Sequence, residues 1–299
     1  MSDSKIVLGA NQYGKAEVHL VRVTRDTERH GLEDLSVTSQ LRGDFEAAHR
    51  VGDNAHVVAT DTQKNTIFAF AKDGVGSPEG YLLRLGKHFV DEFSWVTGGR
   101  WSAEQYTWER IHIGDKPQDH SFVRGGTEIR TTVVTREAGE ASVVAGLKDL
   151  AVLNSTDSEF SGYPKDRYTT LHETTDRILA TSVTSRWRYN TLDVDYNEVF
   201  ADVRRILLET FSSTHSYALQ QSMFAMGEKV LEAHKEIDEI KFSLPNLHHF
   251  LVDLAPFGLE NPNEVFYASD RPYGLIEATI EREGARKVPW AWDGIGAFC

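Results

Sequence analysis

Thr60 and Asp61 stand where an apolar run meets an amphipathic segment, "VVATDTQKNTIFAFAKDG" from 57 to 74. Thr60 and Gln63 fit a T-x-x-Q capping box, in which hydroxyl and amide satisfy orphan N–H groups of a first helical turn. The pair therefore either starts a helix or reaches out of one to do chemistry. In "SLPNLHHF", Asn246 and His248 are two apart, which puts both side chains on one strand face if the strand resumes after Pro245. Lys15 follows "YG", Phe160 lies in the loop "STDSEFSGY", Arg177 opens "RILATS", and Gln220 stands near a helix start. Such groups hold the edges of polar ligands and shuttle protons. Each also has a plain structural alternative: a solvated polar pair, a solubilising lysine, a plug over a satellite core, a surface charge, a first-turn polar residue.

The familiar catalytic machineries are missing around them. There are twelve histidines and one cysteine, Cys299, but no Cys pair and no H-E-x-x-H. His248 and His249, as strand neighbours, point to opposite faces and make poor joint metal ligands. "DGIGAF" and "GVGSPEG" do not sit in the strand-to-helix turn of a dinucleotide fold, and there is no Walker loop or G-x-S-x-G elbow. A net charge of −13 argues against a broad nucleic-acid footprint, so any anionic ligand must be held by local cations within an acidic whole. The lone cysteine fits a reducing compartment, and the first residues lack a basic region followed by an apolar run, so a cytoplasmic location without membrane association is expected. "NST" at 154 to 156 matches a glycosylation acceptor, which without an export signal is read as chance.

Periodicity supplies the elements that must position these residues. "LSVTSQLRG" alternates, with Leu35, Val37, Ser39 and Leu41 on one face of a half-exposed strand. Residues 62 to 74 and 79 to 93 read as helices separated by "SPEG", the second with Leu82, Leu85, Phe89 and Phe93 on one side. "YTWERIHI" and "HSFVRGGTEIRTTVVTRE" flank "GDKPQD" as a long hairpin. The second half repeats the order. Strands "ASVVAGLKDLAVLN" and "RILATSVTSRWRY" precede two helices, marked by Val199, Val203, Ile206 and Phe211 and by Leu219, Met223, Met226 and Val230, and strands "IDEIKFSLPNLHHFLVDL" and "GLIEATIER" follow. The expected fold is α+β: two tandem ββααββ modules, residues 1–138 and 139–299 with a C-terminal tail, each an antiparallel sheet with helices packed on one side. Long sheet edges then favour oligomerisation. The tail, "KVPWAWDGIGAFC", carries two Trp and a Phe and is expected to pack on a neighbouring chain.

Several motifs in order give the chain its resemblance to a known family: "YGK" (13 to 15), "VATDTQKNTI" (58 to 67), "GDKPQDHSFVR" (114 to 124), "LNSTDSEFSGY" (153 to 163), "YTTLHETTDRILAT" (168 to 181), "SLPNLHHF" (243 to 250) and "NEVFYASDRPYGLI" (263 to 276). Across nearly its whole length it resembles the urate oxidase (uricase) family. The resemblance implies the tunnelling fold, with helices on the outer face and four chains closing a hollow β-barrel whose active sites lie between subunits. It implies oxidation of urate by O₂ to 5-hydroxyisourate and hydrogen peroxide, with no metal and no organic cofactor.

By the same resemblance, Arg177 offers a rigid fork to the planar anion, Gln220 donates and accepts at the opposite edge, Phe160 stacks on the ring, and the Leu219 N–H contacts the ligand where the family often has Val. Thr60 and Asp61 reach the ligand from a neighbouring subunit, and the Thr60 hydroxyl relays a proton between Lys15 and the substrate. Asn246 holds O₂ or water with Thr60, and His248 positions the ligand and shuttles protons. Eukaryotic members usually end in a peroxisomal tripeptide; this chain ends "AFC", which fits a bacterial-type cytoplasmic enzyme. Two rivals remain at this stage: another tunnelling-fold enzyme acting on pterins or purine nucleotides, and a non-enzymatic oligomeric purine-binding protein.

Overall fold

The computed structural model describes residues 6–296 and 298–299. By internal packing the chain divides into two units, Met1–Ala145 with Val288–Asp293 and Gly146–Lys287 with Gly294–Cys299. In the first, strands β1 (Tyr13–Thr24) and β2 (Gly31–Gly43) lead through a short helix α1 (Glu46–Val51) to helices α2 (Thr60–Lys72) and α3 (Pro78–Glu92), then to β3 (Val96–Ile113) and β4 (Lys116–Glu137). Strand β5 (Glu140–Asn154) carries the chain onward to β6 (Leu179–Tyr189), helices α4 (Tyr196–Ser213) and α5 (Leu219–Ala233), and strands β7 (Ile237–Leu251) and β8 (Phe266–Glu281). The ββααββ order thus occurs twice, as the periodicity predicts. An element the periodicity does not predict is α1, whose six residues are too short to leave a periodic signal, and the last strand begins at Phe266, earlier than "GLIEATIER" predicts.

The first unit's sheet runs β1-β2-β3-β4, each neighbour antiparallel. Leu35, Val37, Ser39 and Leu41 are all fully buried, so the alternation of β2 does set its inner face. On that side Leu82, Leu85 and Phe89 of α3 are sealed, and Phe89 stacks on Trp101 of β3 with ring centroids 6.4 Å apart. Gly86 makes this packing possible, because a Cβ there would lie 3.0 Å from the Trp101 ring. The second unit repeats the device: a Cβ on Gly227 of α5 would meet Ile280 of β8 at 3.0 Å. There β7 pairs antiparallel with both β6 and β8. Met223, Met226 and Val230 of α5 and Phe242 and Leu244 of β7 are all buried, as the helical and strand periods predict.

The tail folds back on its own chain. Val288 and Ala291 are buried in the first unit, and the Asp293 carbonyl accepts from the Arg100 guanidinium. In the second unit the Cys299 carbonyl oxygen accepts from Lys241 Nζ at 3.1 Å and from Thr279 Oγ1 at 2.9 Å. Among the described residues no helix is long and apolar enough to cross a membrane.

Candidate active site

In the first unit, "YGK" has a structural logic for each letter. Tyr13 Oη donates to the Val58 carbonyl at 3.1 Å, tying the start of β1 to the segment that enters α2. Gly14 sits so close to β2 that a Cβ would fall 1.8 Å from the Ser39 carbonyl oxygen. Lys15 stands at the edge of a bulge, since the β1–β2 register shifts between Lys15 and Val18 and Glu17 takes a left-handed φ of 54°. A bulge re-aims a strand side chain, and here it presents a half-buried lysine beside the first turn of α2.

The capping box is not formed. Ala59 is the residue that caps α2, without any side-chain hydrogen bond, and Thr60 is already the first helical residue. Gln63 is fully buried: its Oε1 accepts from Ser39 Oγ at 2.9 Å and its Nε2 donates to the Val58 carbonyl at 3.4 Å. Core polarity therefore claims the glutamine, and the exposed Thr60 hydroxyl is left without capping work. Asp61 accepts from the Lys64 ammonium and from Asn65 Nδ2 at 3.0 Å. The Lys64 hydrogen bond holds its carboxyl below the usual range, with a smaller contribution from the Lys15 charge, which shows the two functional candidates within electrostatic reach.

In the second unit, Phe160, Arg177, Asn246 and His248 line a single cavity of about 660 Å³, shared with His249 and Thr174 among others. Asn246 and His248 flank a register shift in the β7–β8 pairing, with Asn246 opposite Gly274 and His248 opposite Ser269. The adjacent His249 lines the same cavity, so strand alternation does not separate these three residues here. Burial, then the nearby Arg177 charge and His249, lowers the His248 pKa and favours neutral imidazole. The Arg177 guanidinium lies over the Phe160 ring, 5.1 Å from its centroid, and Tyr163 stacks with that ring at 4.9 Å. Phe160 itself is pinned by an isolated bridge to Thr174, with backbone bonds of 2.8 and 3.1 Å in the two directions.

Arg177 stands just before β6 rather than within it. Burial lowers its pKa, with no carboxylate among the causes. Among the described residues its one side-chain partner is a neutral hydroxyl, Ser158 Oγ, at 3.2 Å from Nε. A half-buried cation with no carboxylate partner, facing a cavity with an aromatic ring, an amide and an imidazole, can bind a planar anion.

Leu219 and Gln220 are the first two residues of α5 and are not among the residues lining that cavity. Leu219 is buried, and the first turn of a helix leaves its N–H groups without intrahelical partners. Gln221 performs the structural task, its Oε1 accepting from the Tyr217 N–H at 2.8 Å, so the exposed Gln220 is not the polar residue that secures this turn. The helix start is joined to the cavity wall through Ser158 and Ser216, which form a parallel bridge. Ser158 escaped the sequence reading, because a lone serine in a loop carries no periodicity or spacing that could single it out. Among the described residues no three His, Cys, Asp or Glu side chains group as a metal site.

A family model described as Uricase matches residues 11–135 and 143–277. The uricase of Arthrobacter globiformis is 64% identical over 99% of this chain and 97% of its own length, and that of Dictyostelium discoideum is 40% identical over 92% and 98%. The crystal structure of the Arthrobacter globiformis uricase superposes with a TM-score of 0.92 at 64% identity, covering 96% of this chain and all of that one.

Proposed function

The chain belongs to the uricase family, and from that premise we propose that the cavity walled by Phe160, Arg177, Asn246 and His248 is where it oxidises urate. The protein is a urate oxidase, an oxidoreductase with O₂ as acceptor. The reaction takes urate, O₂ and water to 5-hydroxyisourate and hydrogen peroxide: two electrons leave urate, O₂ takes them up with two protons, and the oxygen of water ends on the purine. The observation that carries the placement is the Arg177 guanidinium, half-buried and, among the described residues, without a carboxylate partner, beside an aromatic face and a neutral imidazole.

Urate is planar and anionic. Arg177 pairs with one edge as a charge-assisted fork, and Gln220 and the Leu219 N–H meet the opposite edge. Phe160 packs on the ring, which contributes about 1 kcal/mol beyond burial for a well-packed π contact. Lys15 takes a proton from the ligand through the Thr60 hydroxyl, with Asp61 reaching the ligand beside it; the electron-rich dianion then reduces O₂ directly. Asn246, with Thr60, holds O₂ or water above the ring, and His248, kept neutral, passes protons there. Electrons go straight from urate to O₂ in this scheme, with no metal or organic cofactor.

Lys15, Thr60 and Asp61 belong to one unit and the remaining site residues to the other. We place the first group on a neighbouring subunit, so that each complete site draws on two chains of a homotetramer. β1 and β8 each have a strand neighbour on one side alone, and closing a barrel of several chains removes such edges. The test is urate's near-ultraviolet absorbance with metal-stripped protein beside an oxygen electrode. Loss of urate with matching O₂ uptake and peroxide release is the expected result; binding without turnover would leave a purine-binding protein, and no binding would refute the substrate.

A further inference from the structure

Arg177 is held at two points by one residue. Its backbone N–H donates to the Ser158 carbonyl at 2.9 Å, and its Nε donates to Ser158 Oγ at 3.2 Å. Ser158 is fully buried, as is Ser216 beside it. The two segments are laced together by the Glu159 N–H donating to the Ser216 carbonyl at 2.8 Å and the Ser216 N–H donating to the Asp157 carbonyl at 2.9 Å. From Ser216 the bonds continue into α5: Ser222 Oγ donates to Ser216 Oγ at 2.8 Å, and Ser216 Oγ donates to the Ala218 carbonyl at 3.1 Å, directly before Leu219 and Gln220.

A guanidinium has a fixed fork of five N–H donors. With Nε engaged by a hydroxyl, the terminal amino groups Nη1 and Nη2 are what it can offer end-on to an anion. A neutral acceptor fixes that orientation without cancelling the charge, whereas a carboxylate in its place would compete with the ligand. We propose that Ser158 is a positioning residue for urate: it turns the Nη1–Nη2 edge of Arg177 toward the substrate and, through Ser216, keeps that edge in register with the helix start that bears Leu219 and Gln220. This rests on the urate reading above.

The experiment compares urate KM, kcat and the dissociation constant of urate under anaerobic conditions in the full-length protein. Ser158→Ala is expected to raise KM and the dissociation constant about tenfold, as for one lost hydrogen bond to a charged group, with kcat within about twofold of its starting value. Ser158→Thr, which keeps the hydroxyl, should restore part of that affinity, and in an Arg177→Gln background Ser158→Ala should add nothing further. An unchanged KM, a loss confined to kcat, or full additivity with Arg177→Gln would overturn the role. If Ser158→Ala does not fold, Ser158→Cys carries the same expectation with a weak acceptor of similar shape; failure of both to fold would assign Ser158 to stability and overturn the proposal. A parent protein that neither binds nor oxidises urate refutes the substrate reading, whereas an active parent with an unaffected Ser158→Ala refutes this inference alone.

Discussion

Arg177 concentrates the electrostatic problem of the whole protein in one side chain. The molecule carries a net charge of −13, yet its candidate ligand is an anion, so in the proposed site binding rests on a cation that, among the described residues, has no carboxylate partner. Replacing Arg177 by Gln is expected to weaken anaerobic urate binding by about ten- to a hundredfold, the worth of a charge-assisted hydrogen bond at ~1.5–3 kcal/mol. Equilibrium titration at constant ionic strength reads this directly, and an unchanged constant would remove Arg177 from the site. His248 offers a pH signature. Burial and the Arg177 charge lower its pKa, so folded imidazole stays neutral at acidities where free imidazole, with its pKa of about 6.5, has begun to protonate. In the window just below that value the unfolded chain binds the extra proton, so this group makes stability rise with pH there. For activity, kcat/KM should hold its plateau somewhat below pH 6.5 before falling, and His248→Gln should remove that acid limb. A limb that persists in the variant belongs to another group.

At the level of elements, the proposed site divides the first turn of α2 between support and chemistry. A capping threonine replaced by alanine commonly costs about 1 kcal/mol. Thr60 is not the cap, so Thr60→Ala should leave the melting temperature nearly unchanged while turnover falls steeply. Gln63→Ala should do the reverse in stability. It strands the Ser39 hydroxyl in the core, at a cost of about 1–3 kcal/mol. Calorimetry beside a urate assay distinguishes the two positions, and a large stability loss in Thr60→Ala would reinstate the capping role. Bulges serve the same separation. Lys15 lies beside a register shift in β1 and the Asn246–His248 pair spans one in the β7–β8 ladder, so in both units regular pairing gives way next to residues of the proposed site.

For the whole molecule, the division of candidate residues between two units makes assembly testable without a structure of the oligomer. Assayed with urate far below KM, Lys15→Met and Arg177→Gln should each retain little activity alone. Co-expressed in equal amounts, they should recover about a quarter of the parent activity, because random pairing of chains leaves about one shared site in four with both intact halves. No recovery in mixed oligomers that are shown to form would place both groups of residues in one chain. Specific activity that persists unchanged in a demonstrated monomer would also defeat the shared-site reading.

Much of this protein could be read from its sequence, because the physical signals are local or periodic. The alternation from Leu35 to Leu41 and the helical spacing of Leu219, Met223, Met226 and Val230 report which face meets the core, and the repeated strand and helix order follows from them. The motifs from "YGK" to "NEVFYASDRPYGLI" identify the family by their order along the chain. Other choices depended on groups brought together from distant positions. Whether Gln63 caps α2 or serves Ser39 is decided by β2 packing beneath the helix, since a buried hydroxyl competes for the amide more strongly than exposed N–H groups that water can satisfy. Which of two adjacent glutamines secures the start of α5 is decided by the turn at Tyr217. Ser158 acquires its role because folding brings three segments, at 158, 177 and 216, into one hydrogen-bonded knot. Periodicity records which face is buried; the partner of a single polar atom is set by tertiary geometry, because a hydrogen bond is decided within a few tenths of an ångström.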